Sequence, residues 1–229
     1  MNGRVLVVCA SRGRPLELAR MLDSLEETST LADVAVYIDE DQQEDYKAIM
    51  GRATVVIGPR IGQCRSLNHM VKKMPGYEAY GAATDDCCFK TPDWDKWVIE
   101  TARAFKGGIG VIAPFSGGDV PRMDFPWVTG PWLDVVSPFT VLGTHHSFWD
   151  VALQLLGEAT QIKFATRYEF MMWHEGLSGN VIPEKQQTDI GKVVYNIYHV
   201  YNDAHCVCVW MALHRHAVVE KIRAALKEE

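Results

Sequence analysis

Residues 78–95 read EAYGAATDDCCFKTPDWD, and the parsing of this stretch decides the fold. EAYGAA (78–83) is a short apolar run of strand type, and it delivers Thr84, Asp85 and Asp86 at its C-terminal end. Thr91 followed by Pro92 is a helix-start signal, and DWDKWVIETARAF supplies the helix. The unit is strand, acidic loop, helix. Two adjacent carboxylates repel, and burial strengthens the repulsion. A solvated turn tolerates such a pair without further purpose. A hard divalent cation, Mg²⁺ or Mn²⁺, would give it one, because these ions take ionised oxygen ligands.

The same alternation extends outward. RVLVVC (4–9), VAVYI (34–38), TVVIG (54–58) and IGVIA (109–113) are further apolar runs of strand length. PLELARMLDSLEE carries Leu18, Met21, Leu22 and Leu25 at the spacing of one helix face, with Pro15 suited to the first turn, and QCRSLNHMVKKM is again helical. Strands alternating with helices over the first half predict an α/β domain with a mostly parallel sheet and helices on both faces. Ligands in such sheets sit beyond the carboxyl ends of the strands. SRGRP (11–15), Asp39, PRIG (59–62) and TDD (84–86) all follow strand C-termini, so the topology sends them to one crevice.

The second half is less regular. FSGGDVPRMDFPWVTGPW (115–132) suits a loop covering a pocket, and THHSFWDVALQLLG (144–157) a helix with Asp150 near its start. IKFAT and YEFMMWH read as strands, the latter ending at His174, followed by the polar loop EGLSGNVIPEKQQ. From Asp189 onward the pattern is one or two amphipathic helices. The whole reads as a single domain, 1–229, in two halves (1–113 and 114–203) and a C-terminal helix (204–229).

Composition bounds the function. The 229 residues are 48% hydrophobic and 23% charged, as in ordinary globular proteins, and the formal charge of −6 opposes a general nucleic-acid coat. Arg12, Arg14, Arg60 and Arg65 still allow a local basic patch. No apolar run approaches the ~20 residues of a membrane span. The opening MNGRVLVVCAS reads as a buried strand, too short for an export signal. With six cysteines and no such signal, a reduced cytoplasmic location is expected. Cys87-Cys88 and Cys206/Cys208 lack zinc-finger spacing and read as buried thiols. Neither a triple-glycine dinucleotide turn nor a Walker sequence occurs, which counts against hydride transfer and P-loop phosphoryl transfer. A nucleoside diphosphate bridged to the acidic pair by a divalent cation fits what remains.

At this point the chain resembles a known family, the GT-A-fold nucleotide-sugar glycosyltransferases of the small bacterial and bacteriophage type. The resemblance is carried, in order, by VVCASRGRPLELARMLDSL, VYIDED, IGPRIGQCRSLN, YGAATDDCCFKTPDWD, PWLDVVSPFTVLGTHHSFWDVALQLLG and FMMWHEG. It implies a GT-A-like (Rossmann-like) central sheet and transfer of a sugar from a nucleoside-diphosphate sugar to an acceptor hydroxyl, inverting and assisted by Mn²⁺ or Mg²⁺. Ser11, Arg12 and Arg14 would cradle the nucleotide, Asp39 the base or ribose, and Arg60 and Arg65 would lie near the diphosphate, with Asn68 supporting their loop. Asp85 and Asp86 fall at the DxD-type site, Asp86 and His174 would be metal ligands, and Asp150, four residues after His146, would be the catalytic base. Cys87 stands where a full DxD carries its third acid. A thiol is a poor Mg²⁺ ligand, which leaves Asp86 to ligate with Asp85 on the sugar or ribose.

The bland alternatives stand beside these roles. An acid in a first helical turn is favoured by the helix dipole whatever its chemistry. A histidine ending an apolar strand is commonly structural. Trp94 and Trp97 share a helix face and suit the core, whereas Trp127 and Trp132, in the Gly/Pro segment, are candidates with His146 for stacking on sugar or acceptor in a lid. The acceptor is open among glycan, lipid, protein and modified DNA base. The rivals are a sugar-nucleotide nucleotidyltransferase and a non-catalytic nucleotide-sugar or carbohydrate-binding protein.

Overall fold

The computed structural model describes residues 1–117, 123–137, 139–140, 149–174 and 190–227, with side chains of 149, 174 and 190–204 left aside. His146, the polar loop at 175–187 and the first residues of the expected 144–157 helix lie outside the described residues.

The strand that precedes the acidic pair is β4 (Ala79–Ala83), fourth of the chain after β1 (Val5–Ser11), β2 (Ala32–Asp39) and β3 (Thr54–Gly58). Between them run α1 (Pro15–Thr28) and α2 (Gln63–Lys73). After β4 come β5 (Cys87–Phe89), α3 (Trp94–Ala104), β6 (Val111–Ala113), β7 (Trp127–Thr129), α4 (Gly130–Val135), α5 (Trp149–Glu158), β8 (Ile162–Phe164), β9 (Met172–His174) and α6 (Ile190–Ala225). A seven-stranded sheet has the order β3-β2-β1-β4-β7-β6-β8, and β5 pairs with β9 in a separate ribbon. The β1–β2, β1–β4, β2–β3 and β6–β8 pairs are parallel; β7 runs antiparallel to both its neighbours. The expected mostly parallel α/β architecture is what forms.

Period-two alternation explains the layering. On β1, Val5, Val7 and Cys9 face a core with Leu18, Met21, Leu22 and Leu25 of α1 and Trp94, Val98 and Ile99 of α3. Leu6 and Val8 face the opposite core, with Cys64, Leu67 and Met70 of α2, Trp132 of α4, Leu153 and Leu156 of α5 and Val219 and Ile222 of α6. A strand buried on both faces must read as a continuous apolar run, and VLVVC does.

One expectation changes. The segment 115–132 is not wholly a covering loop, because β7 within it enters the sheet centre. Gly81 lies opposite Trp127 in the ladder, and a Cβ there would stand 1.9 Å from the indole. The glycine therefore admits the ring. Trp127 is wholly buried and meets Trp94 edge-on at 5.1 Å; Trp94 stacks on Phe170 at 4.8 Å. After β2, Glu40–Ile49 is a 3₁₀ segment that buries Tyr46 and Ile49, three residues apart. The C-terminal helix, expected from Asp189 onward, starts at Ile190 and is one helix.

Candidate active site

The parallel register brings four strand ends to one edge. Ser11 is level with Ile38, Asp39 with Gly58, and Cys9 with Ala83, so the SRGRP turn, Asp39 and the TDD loop share one rim. Ser11, Asp39, Asp85 and Asp86 are all buried there, below 10% exposure. The acidic pair is therefore not a solvated turn.

Its charge is balanced from β1's loop. Arg14, the N-cap of α1, donates from Nη1 to Asp85 Oδ1 at 2.9 Å and from Nη2 to Asp86 Oδ2 at 2.7 Å. Ser11 Oγ donates to Asp85 Oδ2 at 2.8 Å and lies 2.7 Å from the Tyr46 hydroxyl. The Tyr46 hydroxyl in turn accepts the Arg14 backbone N–H at 3.0 Å. Burial pushes the Asp85 carboxyl above its ordinary range, and the neighbouring Asp86 charge adds to this, while Ser11 and Arg14 pull it back. Arg12 donates to Asp39 Oδ2 at 2.7 Å and takes both oxygens of Asp41, at 2.7 and 2.8 Å. The guanidinium draws the Asp41 carboxyl below its usual range. Gly13 N–H completes the loop by donating to Gln42 Oε1 at 2.6 Å.

The structure thus brings together Ser11, Arg12, Arg14, Asp39, Asp85 and Asp86. The arginines bind carboxylates here rather than standing ready as open cations. Tyr46, Asp41 and Gln42 belong to the same network; the sequence marks only Tyr46, through its three-residue spacing to Ile49.

The other expected residues divide. Arg60 is exposed at the rim and acts electrostatically on Asp41. Arg65 lines a separate groove of about 910 Å³ between α2 and α4. Asn68 fastens that region: its Nδ2 donates to Thr140 Oγ1 at 2.7 Å, and its Oδ1 accepts the Thr140 N–H at 2.8 Å. Its partner is thus Thr140, beyond α4, rather than the loop of Arg60 and Arg65. Trp127 and Trp132, expected to stack on sugar or acceptor, are core side chains at 0% and 1% exposure and offer no ring face to a ligand. The antiparallel strand β7 and the first turn of α4 carry them inward. Asp150 is half-buried in the first turn of α5, which packs on β6 and β8 and leads into β8 through a short turn. A helix so connected runs antiparallel to its strand, which puts its N-terminus at the carboxyl edge. His174 pairs with Cys87 in the β5–β9 ribbon, one residue along from Asp86.

The donor chemistry suits a hard cation. Two carboxylates supply oxygen, and Thr84 Oγ1 beside them is buried without a hydrogen-bond partner among the described residues. Cys87 is unsuited, since burial pushes its thiol far above the usual range and keeps it protonated. No group of three potential ligands occurs among the described residues.

Comparison with solved structures decides the architecture. The mannosyltransferase PcManGT of Pyrobaculum calidifontis, solved with GDP-Man and Mn²⁺, aligns over 98% of this chain and 74% of its own at 11% identity, TM-score 0.57. TarS of S. aureus aligns over 96% of this chain and 42% of its own at 10% identity, TM-score 0.58. The fold is GT-A. No protein-family profile and no curated protein matches the chain. Within the GT-A fold, the buried Asp85–Asp86 pair stands at the carboxyl end of the fourth strand, where open α/β sheets bind ligands. No described helix is long and apolar enough to cross a membrane.

Proposed function

We propose that this protein is a glycosyltransferase that moves a sugar from a nucleoside-diphosphate sugar to an acceptor hydroxyl with inversion at the anomeric carbon. One observation carries the reading: a buried acidic pair at the end of β4, charge-balanced by the loop after β1, at the ligand edge of a GT-A sheet. PcManGT's GDP-Man and Mn²⁺ favour a nucleoside diphosphate and a divalent ion here as well. Asp85, expected on the sugar or ribose, shares the Arg14 guanidinium with Asp86, so both carboxylates, with His174, would hold Mn²⁺ or Mg²⁺, which supplies Lewis-acid stabilisation of the leaving diphosphate. Ser11 and the backbone of the SRGRP turn orient the donor over that pair. Arg12 steadies Asp39, which takes the base or ribose hydroxyls. Asp150 takes the proton of the acceptor hydroxyl as the sugar is attacked from the face opposite the diphosphate. The acceptor is a glycan, a lipid, a protein or a modified base.

A thermal-shift panel of UDP-, GDP-, CMP- and dTDP-sugars, with and without Mn²⁺, tests the reading. One of the UDP-, GDP- and dTDP-sugars should raise the melting temperature, more so with Mn²⁺, and be consumed with release of its nucleoside diphosphate when acceptor extracts are added; the CMP-sugar, which has no diphosphate to release, should not be consumed. A panel in which no sugar nucleotide binds rejects it.

A further inference from the structure

We propose that Arg14 is a built-in counter-ion that competes with the divalent cation for the Asp85–Asp86 pair, so that cation uptake requires the guanidinium to let go. This rests on the donor-site reading above and assigns how that site is regulated.

The geometry is specific. Two nitrogens of one guanidinium reach two different carboxylates, at 2.9 Å for Asp85 Oδ1 and 2.7 Å for Asp86 Oδ2. The carboxylates are 7% exposed, whereas the arginine side chain is 43% exposed. The acids are thus fixed in the protein and their partner can swing to solvent. The oxygens Arg14 uses belong to the carboxylates a metal would need. A divalent ion at those oxygens would lie within a few ångströms of a positive charge, where repulsion is severe in a partly dehydrated site. Without any cation, two buried like charges are equally disfavoured. Arg14 settles that problem in the resting protein.

Its own anchoring favours exchange. The Arg14 backbone is fixed through the Tyr46 hydroxyl and Pro15 begins α1, so the residue stays while its side chain moves. A freed guanidinium remains on the loop facing the donor, where its planar fork matches a diphosphate as well as it matches carboxylates. Cation and diphosphate would therefore arrive as a pair, one taking the acids and the other the arginine. The cation alone binds poorly because it must displace Arg14 with no anion to receive it.

The test is Mn²⁺ binding to the nucleotide-free protein, read by water-proton relaxation, for the native chain, Arg14→Lys, Arg14→Ala and Asp86→Asn. Arg14→Ala should bind Mn²⁺ at least tenfold more tightly than the native protein. Arg14→Lys, a single point charge that cannot span both acids, should fall between. Asp86→Asn should bind more weakly than either. Equal or weaker Mn²⁺ affinity in Arg14→Ala overturns the proposal, as does undiminished binding in Asp86→Asn. Circular dichroism of each variant confirms that it is folded, and Arg14→Lys keeps the comparison valid should the alanine variant fail. Thermal shifts with UDP, GDP and dTDP on the same samples, with and without Mn²⁺, report on the donor reading separately. Nucleotide binding with no Arg14 effect removes the competition only, and a tightened Mn²⁺ site that ignores nucleotides removes the donor reading.

Discussion

The Tyr46 hydroxyl lies 2.7 Å from Ser11 Oγ, and through Ser11 it steadies Asp85. Tyr46 sits in a 3₁₀ segment, Ser11 at the end of β1 and Asp85 after β4, so one phenol ties three remote segments to the acidic pair. Tyr46→Phe keeps the packing and removes the oxygen. The Arg14 N–H then loses its acceptor and Ser11 a partner, which should cost about 1–3 kcal/mol. Urea midpoints of the two proteins measure this, and an unchanged midpoint would show that the hydroxyl is replaceable.

The two acids proposed for opposite tasks should fail differently. Asp86→Asn should lose Mn²⁺-dependent donor binding and transfer together. Asp150→Asn should retain donor affinity while kcat falls by roughly 10²–10⁴, the usual worth of a positioned base. Normal turnover in Asp150→Asn would strike that residue from the mechanism.

Gly81 and Trp127 form a lock that can be tested from either side. Gly81→Ala forces a methyl group into the indole, 1.9 Å away, and should cost about 1–3 kcal/mol or more. Trp127→Ala should cost about 3–5 kcal/mol through the cavity it leaves. Because the residues touch, the double variant should be more stable than the sum of the two losses implies. Strict additivity in denaturant titrations would mean that β4 and β7 do not meet as described.

At the opposite edge of the sheet, Arg4 donates from Nε to Asp33 Oδ2 at 2.8 Å and from Nη2 to Oδ1 at 2.5 Å. The Arg4 hydrogen bond, chiefly, holds the Asp33 carboxyl below its ordinary value of 3.8. A lowered folded-state value stabilises the protein above the unfolded-state value, and the gain disappears as pH falls through the folded one. Both side chains are about one-third exposed, which limits the effect to about 1 kcal/mol. Arg4→Met should therefore lower stability at pH 7, and the gap should close as pH falls through the lowered folded-state value of Asp33. A gap that stays constant throughout the acid titration would assign Arg4 a packing role instead.

The parallel part of the fold was legible because each of its strands is a short apolar run closed by a turn residue. Asp85 and Asp86 were legible because a strand end immediately before a helix start is where α/β sheets place ligands. The sequence hides β7 because only Trp127, Val128 and Thr129 are extended, inside a Gly/Pro segment whose composition says loop. The same composition made Trp127 and Trp132 look like lid residues. Their burial depends on partners distant in sequence, Gly81 above all. Arg14 is legible as part of the nucleotide loop, but no local pattern reveals that its fork spans two acids some seventy residues away. Tyr46 lies in an acidic run where one three-residue apolar spacing, to Ile49, is too little to stand out.

The place of β7 between β4 and β6 bears on how the chain is made. During synthesis the first four strands emerge and can pair, yet β4 keeps a bare flank until residues 127–129 leave the ribosome and slot in antiparallel. That flank is the kind that recruits stray β-strands. The nascent polypeptide therefore carries an open flank on β4 in the interval between the emergence of Ala83 and that of Thr129, and a fragment ending at β6 would keep the same exposed seam.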